Sequence, residues 1–458
     1  MMKNILLVIS IVLSLLANCF AEDNFFDGTD KETLRLMKRA KQSIEKHRRG
    51  PLSLRLMDSQ DRPIQAHLEV KLLAHEFDFG TNLFGFHRIS DDNPAKSMAL
   101  DAIDDVFNTV TICDYWSKNQ TKLEGRLNWE SPDVGYAIAD ELGKRTRYHS
   151  LLFSVPQWIH EYETENELWR VIEARLKQAA ERYGSRLREV DVINEFINYQ
   201  YWDQNPHARY LKTTAFPDMA KPENGARALK LARKYFPNAK LVVLETNLWN
   251  VSNPVFQEIY EYHKELIRLG APYDYIGYQA HYYAQGGMPF QKGTEKFGPR
   301  TFMMDEIDRG MEQMAKLGKP IVITEFNPPS RSNKVKDPNQ PRISDEEIAA
   351  WETNFYTLMF SKPYITGVSR WFTIDNLGGR GIDAGVVTET GDLKRNYFSL
   401  KKLIQEDWHT TIEGKISDGN AWFTGFYGTY RIRVEGFEET TVNLTKKAPD
   451  RKIQLKRY

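Results

Sequence analysis

Between residues 75 and 405 the hydrophobic pattern switches period again and again. Short runs rich in β-branched and aromatic residues alternate with longer stretches whose apolar positions recur every three or four residues, which predicts strands and amphipathic helices in turn. The expected strands are 77–80, 109–112, 147–152, 189–194, 240–244, 275–279, 320–324 and 367–372. Two helices carry start signals. Thr164 with Glu167, and Ser344 with Glu347, form capping boxes ahead of Leu168, Ile172 and Leu176 and of Ile348, Trp351 and Phe355. Gly318 closes a third helix just before the strand at 320. Eight such units over roughly 330 residues predict an α/β fold, a (β/α)8 TIM barrel. A doubly wound parallel sheet is the competing architecture, but no glycine-rich phosphate loop follows the first strand.

The flanks follow a different period. Leu52, Leu54 and Leu56, then Leu68, Val70 and Leu72, alternate with polar residues, which predicts a β-hairpin turning near 58–63. Four short β runs are expected at 422–427, 430–434, 440–444 and 452–455. A β segment of some 50 residues is marginal alone. The two flanks are therefore expected to form one small accessory β module. The resulting division is 1–21 signal peptide, 22–74 helix and hairpin flank, 75–407 barrel and 408–458 C-terminal β segment.

The 458 residues hold 62 Lys plus Arg against 62 Asp plus Glu, so no net field draws the chain to nucleic acid or an anionic membrane. A neutral substrate fits better. Two cysteines, Cys19 and Cys113, exclude a disulfide framework and a zinc cluster, and no cofactor or metal site is implied. Lys3 precedes an apolar run from Ile5 to Ala17, which has the length of a signal-peptide core and is too short to span a bilayer. Cleavage near Ala21 and secretion are expected. The alternative is a lipoprotein anchored through Cys19, disfavoured by Asn18 before it.

A barrel of this kind carries its chemistry at the C-terminal ends of its strands. The fourth expected strand ends in Asn194-Glu195, and the seventh ends in Glu325. Two carboxylates facing each other across the mouth are what glycoside hydrolysis needs. Here the sequence resembles glycoside hydrolase family 10, the xylanase family. Asp191-Val192-Ile193-Asn194-Glu195 is similar to its acid/base motif, with Val190 in place of Trp, and Ile323-Thr324-Glu325-Phe326-Asn327 to its nucleophile motif. Gly277-Tyr278-Gln279-Ala280-His281 resembles its sixth-strand segment, and Trp371 to Asp375 its eighth. The resemblance implies Glu325 as nucleophile and Glu195 as acid/base. It further implies that Asn194 grips the sugar 2-hydroxyl, that Gln279 and His281 hold Glu325, and that Trp371 forms a floor under the sugar.

Departures fall on the second, third and fifth strands. Asp114 takes the place of an asparagine, Phe153 and Ser154 follow His149 where the family has Trp and His, and Glu245 stands where the family has an aspartate. His149, Trp158, Tyr115 and Trp116 are candidates to line the altered subsites. The expected function is a retaining endo-β-1,4-xylanase acting on plant xylan. The alternatives are hydrolysis of another β-linked polysaccharide by the same mechanism and a non-catalytic glycan-binding protein.

Overall fold

The computed structural model describes residues 30–122, 126–197, 214–246, 251, 253–282, 303–329, 331–332, 343–377 and 381–458. The expected signal segment and Cys19 lie outside them. The chain begins with helix α1 (Lys31–His47), which buries Leu36, Met37, Ala40 and Ile44 along one face. Strands β1 (Arg49–Met57) and β2 (Ala66–His75) follow. Eight parallel strands then close a barrel: β3 (Asp78–Asn82), β4 (Thr109–Cys113), β5 (Arg145–His149), β6 (Glu189–Asn194), β7 (Lys240–Thr246), β8 (Tyr275–His281), β9 (Ile321–Asn327) and β11 (Ile365–Arg370), with β11 pairing back onto β3. A two-stranded piece, β10 (Arg331–Ser332) with β12 (Ile382–Asp383), sits outside the ring.

All eight expected barrel strands are present, with ends shifted by a few residues. Both capping boxes form. Thr164 starts the helix Glu165–Tyr183 and Ser344 the helix Asp345–Ser361, each with reciprocal side-chain and backbone bonds. The helix Met304–Ala315 stops ahead of Gly318, whose φ of 75° suits a residue without a Cβ.

The hairpin expected from 52 to 72 does not form. The turn itself closes, with Asp58 N–H bonded to Arg62 O and the Asp58 carboxylate accepting from the Gln60 and Arg62 amides. Beyond it the two strands enter different sheets. β1 lies between β14 (Asn420–Phe426) and β17 (Asp450–Gln454). β2 lies between β13 (Thr411–Ile416) and β15 (Gly428–Val434), and β16 (Thr440–Leu444) extends that sheet. A paired two-strand hairpin would show both leucine stripes on one face. Split between two sheets, Leu52, Leu54, Leu56, Leu68, Val70 and Leu72 all reach a single buried core. Strand β13 carries no apolar alternation and is largely exposed, which is why the sequence pattern passes over it.

The module joins the barrel at the N-terminal ends of the strands. Rings of His75, Phe77, Phe79, Phe360, Trp408 and Phe426 pack there, with Phe360 and Trp408 centroids 4.4 Å apart. Arg48 donates to the carbonyls of Phe360, Lys362 and Ile365 at 2.5–2.7 Å and lies over the Phe77 ring.

Candidate active site

At the opposite end of the barrel, the strands deliver polar side chains inward. The chain leaves β6 through Glu195, whose φ of 62° is the left-handed region that a non-glycine residue occupies at a cost on the order of 1–3 kcal/mol. Two anchors hold the turn: Glu195 N–H bonds Leu244 O at 3.1 Å, and the buried Glu245 carboxylate accepts from Ile197 N–H at 2.7 Å. Glu325 lies within β9, with backbone fixed on both sides by β8 and β11.

Gln279, on β8 between them, brings the two carboxylates together. Its Nε2 has two N–H groups to share among three acceptors within hydrogen-bond distance, Glu195 Oε1 at 2.7 Å, Glu325 Oε1 at 3.0 Å and Asn194 Oδ1 at 2.8 Å. A nitrogen that reaches both acidic oxygens at 2.7 and 3.0 Å caps their separation at 5.7 Å. Both glutamates are buried. Burial, and after it the negative charge of Glu325, pushes the Glu195 carboxyl up to about 7.

Two histidines address the other side of Glu325. His281 Nε2 sits 3.1 Å from Glu325 Oε2, and its Nδ1 faces Asn327 Nδ2 at 2.8 Å. The amide donates to Nδ1, so the ring proton belongs on Nε2, facing the carboxylate. His149 Nε2 is 3.6 Å from Glu325 Oε1, and its Nδ1 bonds Asp191 Oδ2 at 2.8 Å. Burial alone would lower the His149 pKa, but the charges of Glu325 and Asp191 outweigh it and the pKa is raised. Burial alone would raise Asp191, yet Arg147 and then His149 hold it below its usual range. Arg147 grips Asp191 through two nitrogens at 2.5 and 3.2 Å.

Trp371 is 5% exposed, and its ring meets those of His149 and His281 edge-on, with centroids at 5.2 and 6.3 Å. Half-buried Tyr115 joins the same wall through His149 and Phe153. Trp116 and Trp158 are elsewhere. Trp116 has no exposed surface and packs edge-on against Trp158, whose Nε1 bonds Gln120 O at 2.8 Å. The Trp116 ring is spent in packing and presents no face to a ligand, contrary to the subsite lining expected of it, while Trp158 keeps the same small exposure as Trp371. Asp114 is likewise committed, to Arg175 at 2.8 Å and to the Tyr148 hydroxyl. Cys113 is buried beside Asn82, and burial raises its thiol pKa well above the usual value.

The sequence reading missed Arg147 as a member of this site and named Asp191 only within a motif. Their signal is charge at inward positions of barrel strands: Arg147 and His149 alternate on β5, and Asp191 interrupts an apolar run on β6. Among the described residues no cluster of His, Cys, Asp and Glu suits a metal ion.

The family model for glycosyl hydrolase family 10 matches residues 74–378, which takes in every barrel strand and both glutamates. The chain belongs to that family. Its curated relatives include the anti-sigma-I factor RsgI6 of Acetivibrio thermocellus, 24% identical over 89% of this chain and 48% of its own length. Endo-1,4-beta-xylanase 3 of Hypocrea jecorina is 28% identical over 36% of this chain and 46% of its own length, and endo-1,4-beta-xylanase B of Paenibacillus barcinonensis 25% over 59% and 78%. The chain spans about half the length of the first two. In fold it is similar to xylanase 10B of Thermotoga petrophila in complex with xylobiose, with a TM-score of 0.57 at 20% identity, covering 72% of this chain and 95% of that one. As a family 10 chain it has its expected acid/base and nucleophile positions joined through one amide, that of Gln279.

Proposed function

We propose that this chain is a retaining endo-β-1,4-xylanase. The observation that carries the reading is the sharing of Gln279 Nε2 by two buried carboxylates whose bonded oxygens lie within 5.7 Å. Two carboxylates drawn this close through one amide favour direct attack by one of them, as in a retaining pair about 5–5.5 Å apart, over an inverting pair about 6.5–9.5 Å apart with a water between. Glu325 attacks the anomeric carbon, and the glycosidic oxygen departs with the proton of Glu195. The ester removes the charge of Glu325, so the Glu195 pKa falls and its carboxylate takes a proton from water. Oxygen from that water then displaces Glu325 from the anomeric carbon. His281 and His149 keep Glu325 aimed. With Asn194 Oδ1 held by Gln279, its amide nitrogen is the group left to donate to a sugar hydroxyl. Trp371 and Tyr115 supply the apolar wall.

A second reading has its own support, namely the same chemistry on another β-linked polysaccharide. Asp114 and Glu245 are bound to Arg175 and to Ile197 N–H, and Phe153 stands where the family carries Trp, so the grip on sugar hydroxyls differs. Reducing-sugar release from β-1,4-xylan, β-1,4-glucan, mannan and β-1,3-xylan, with Glu325→Ala as control, separates the two. Cleavage of xylan lost in the variant is the expected result. Activity confined to another glycan supports the second reading, and undiminished activity of Glu325→Ala removes Glu325 from the nucleophile's role. We also propose export, with cleavage near Ala21 or acylation at Cys19, on the strength of the apolar run from Ile5 to Ala17. The mass of the mature N-terminal peptide distinguishes these.

A further inference from the structure

The outer face of sheet β14–β1–β17 carries a feature that the fold does not require. Trp422, on β14, is 78% exposed, more than any other large hydrophobic side chain of a described strand. Strand alternation explains its direction, since Leu52, Leu54 and Leu56 point inward from β1 while Pro51, Ser53 and Arg55 point outward. It does not explain its identity. The neighbouring outward position on β14 holds Thr424, a residue suited to a wetted strand, whereas an indole on an edge strand forgoes burial and invites aggregation.

The register places Trp422 opposite Ser53, and Ser53 opposite Asp450, in one row across three strands. The next row is Asn420, Arg55 and Lys452, and Thr424 stands opposite Pro51 on the other side. An apolar plate is thus framed by hydroxyl, amide and charged groups. The charges balance in number, Arg55 and Lys452 against Asp61 and Asp450: Lys452 bonds Asp61 at 2.7 Å, Arg55 also acts on Asp61, and Asp450 accepts from the Ser53 hydroxyl. Such a face has no net field for an anion and is too polar for an apolar protein partner. It matches a ligand that is apolar on its ring faces and hydroxylated around its rim.

We infer that this face is a second saccharide site, at which Trp422 stacks on a ring of a neutral β-linked glycan while Ser53, Asn420 and Thr424 meet its hydroxyls. The choice of ligand class rests on the function proposed above. The site lies on the module at the N-terminal ends of the barrel strands, away from the carboxylates, so it holds polymer without touching the bond being cut. Binding of the full chain to insoluble β-1,4-xylan and β-1,4-glucan tests this, comparing wild type with Trp422→Ala, Trp422→Phe and, as a control for loss of an exposed ring, Phe398→Ala. The expected result is roughly tenfold weaker polymer binding for Trp422→Ala. Trp422→Phe retains most of the binding, Phe398→Ala retains all of it, and kcat/KM on a soluble xylo-oligosaccharide is unchanged throughout. Unaltered polymer binding by Trp422→Ala overturns the inference, as does a parallel loss on polymer and oligosaccharide. Polymer binding that depends on Trp422 in a protein that cleaves none of these glycans keeps the site and defeats the proposed function instead.

Discussion

Glu195 concentrates several physical pressures in one residue. Its backbone is in the left-handed region, its carboxyl is buried, and Glu325 adds a like charge that contributes to raising its pKa to about 7. On the proposed mechanism it acts first as an acid, so kcat/KM falls about tenfold per pH unit above about 7. Stability moves with it. An unfolded glutamate titrates near ~4.3. Between that value and about 7 the folded state holds the extra proton, so the fold loses stability as pH rises through this window. Replacing Glu195 by Gln is expected to raise stability at pH 8 by roughly 1–3 kcal/mol and to leave it nearly unchanged at pH 4, read from thermal melts at both values. The glutamates were legible because each closes a strand that the apolar pattern marks. The supporting charges were less so, since nothing local in the run from Arg145 to His149 says which side chains point into the barrel until the strand's register is known. Trp116 shows the converse: its proximity in sequence to a strand end suggested the site, but large aromatics are more often packing than ligand contacts.

At the scale of elements, local rules were reliable where they were self-contained. Each capping box satisfies helix-end donors by itself, so both could be read from four residues. The stripes of β1 and β2 could be read as strands but not as partners, because pairing depends on what else competes for each edge, and the competitors are about 350 residues away. The link between the helix Glu165–Tyr183 and the barrel is another non-local feature. Its Arg175 reaches Asp114 at the end of β4 and the Tyr148 hydroxyl on β5, all three buried. Truncating Asp114 to Ala leaves the guanidinium buried without that carboxylate and is expected to cost about 3–5 kcal/mol, measured as a lower denaturant midpoint. The position that departs from the family's asparagine thus holds the barrel wall together as well as lying near the site.

For the whole molecule, the module and barrel are a mutual arrangement. Arg48 is stitched to three carbonyls at the base of the barrel, and burial lowers its pKa to about 10, still far above neutrality, so the charge persists. A chain cut after residue 407 loses β13 to β17, and both edges of β1 and of β2 then stand open. Such a truncation is expected to aggregate, with little monomer in size-exclusion chromatography.

The interleaving of chain ends also sets a clock. Ser53 finds its partner in Asp450, which leaves the ribosome roughly 20–80 seconds later at ordinary elongation rates. Throughout that interval the leucines of β1 and β2 have no sheet to enter. The barrel can wind as it is synthesised, but its base stays unsealed until translation is nearly over, and a nascent chain stalled before β13 exposes the same apolar strands to a chaperone or a protease.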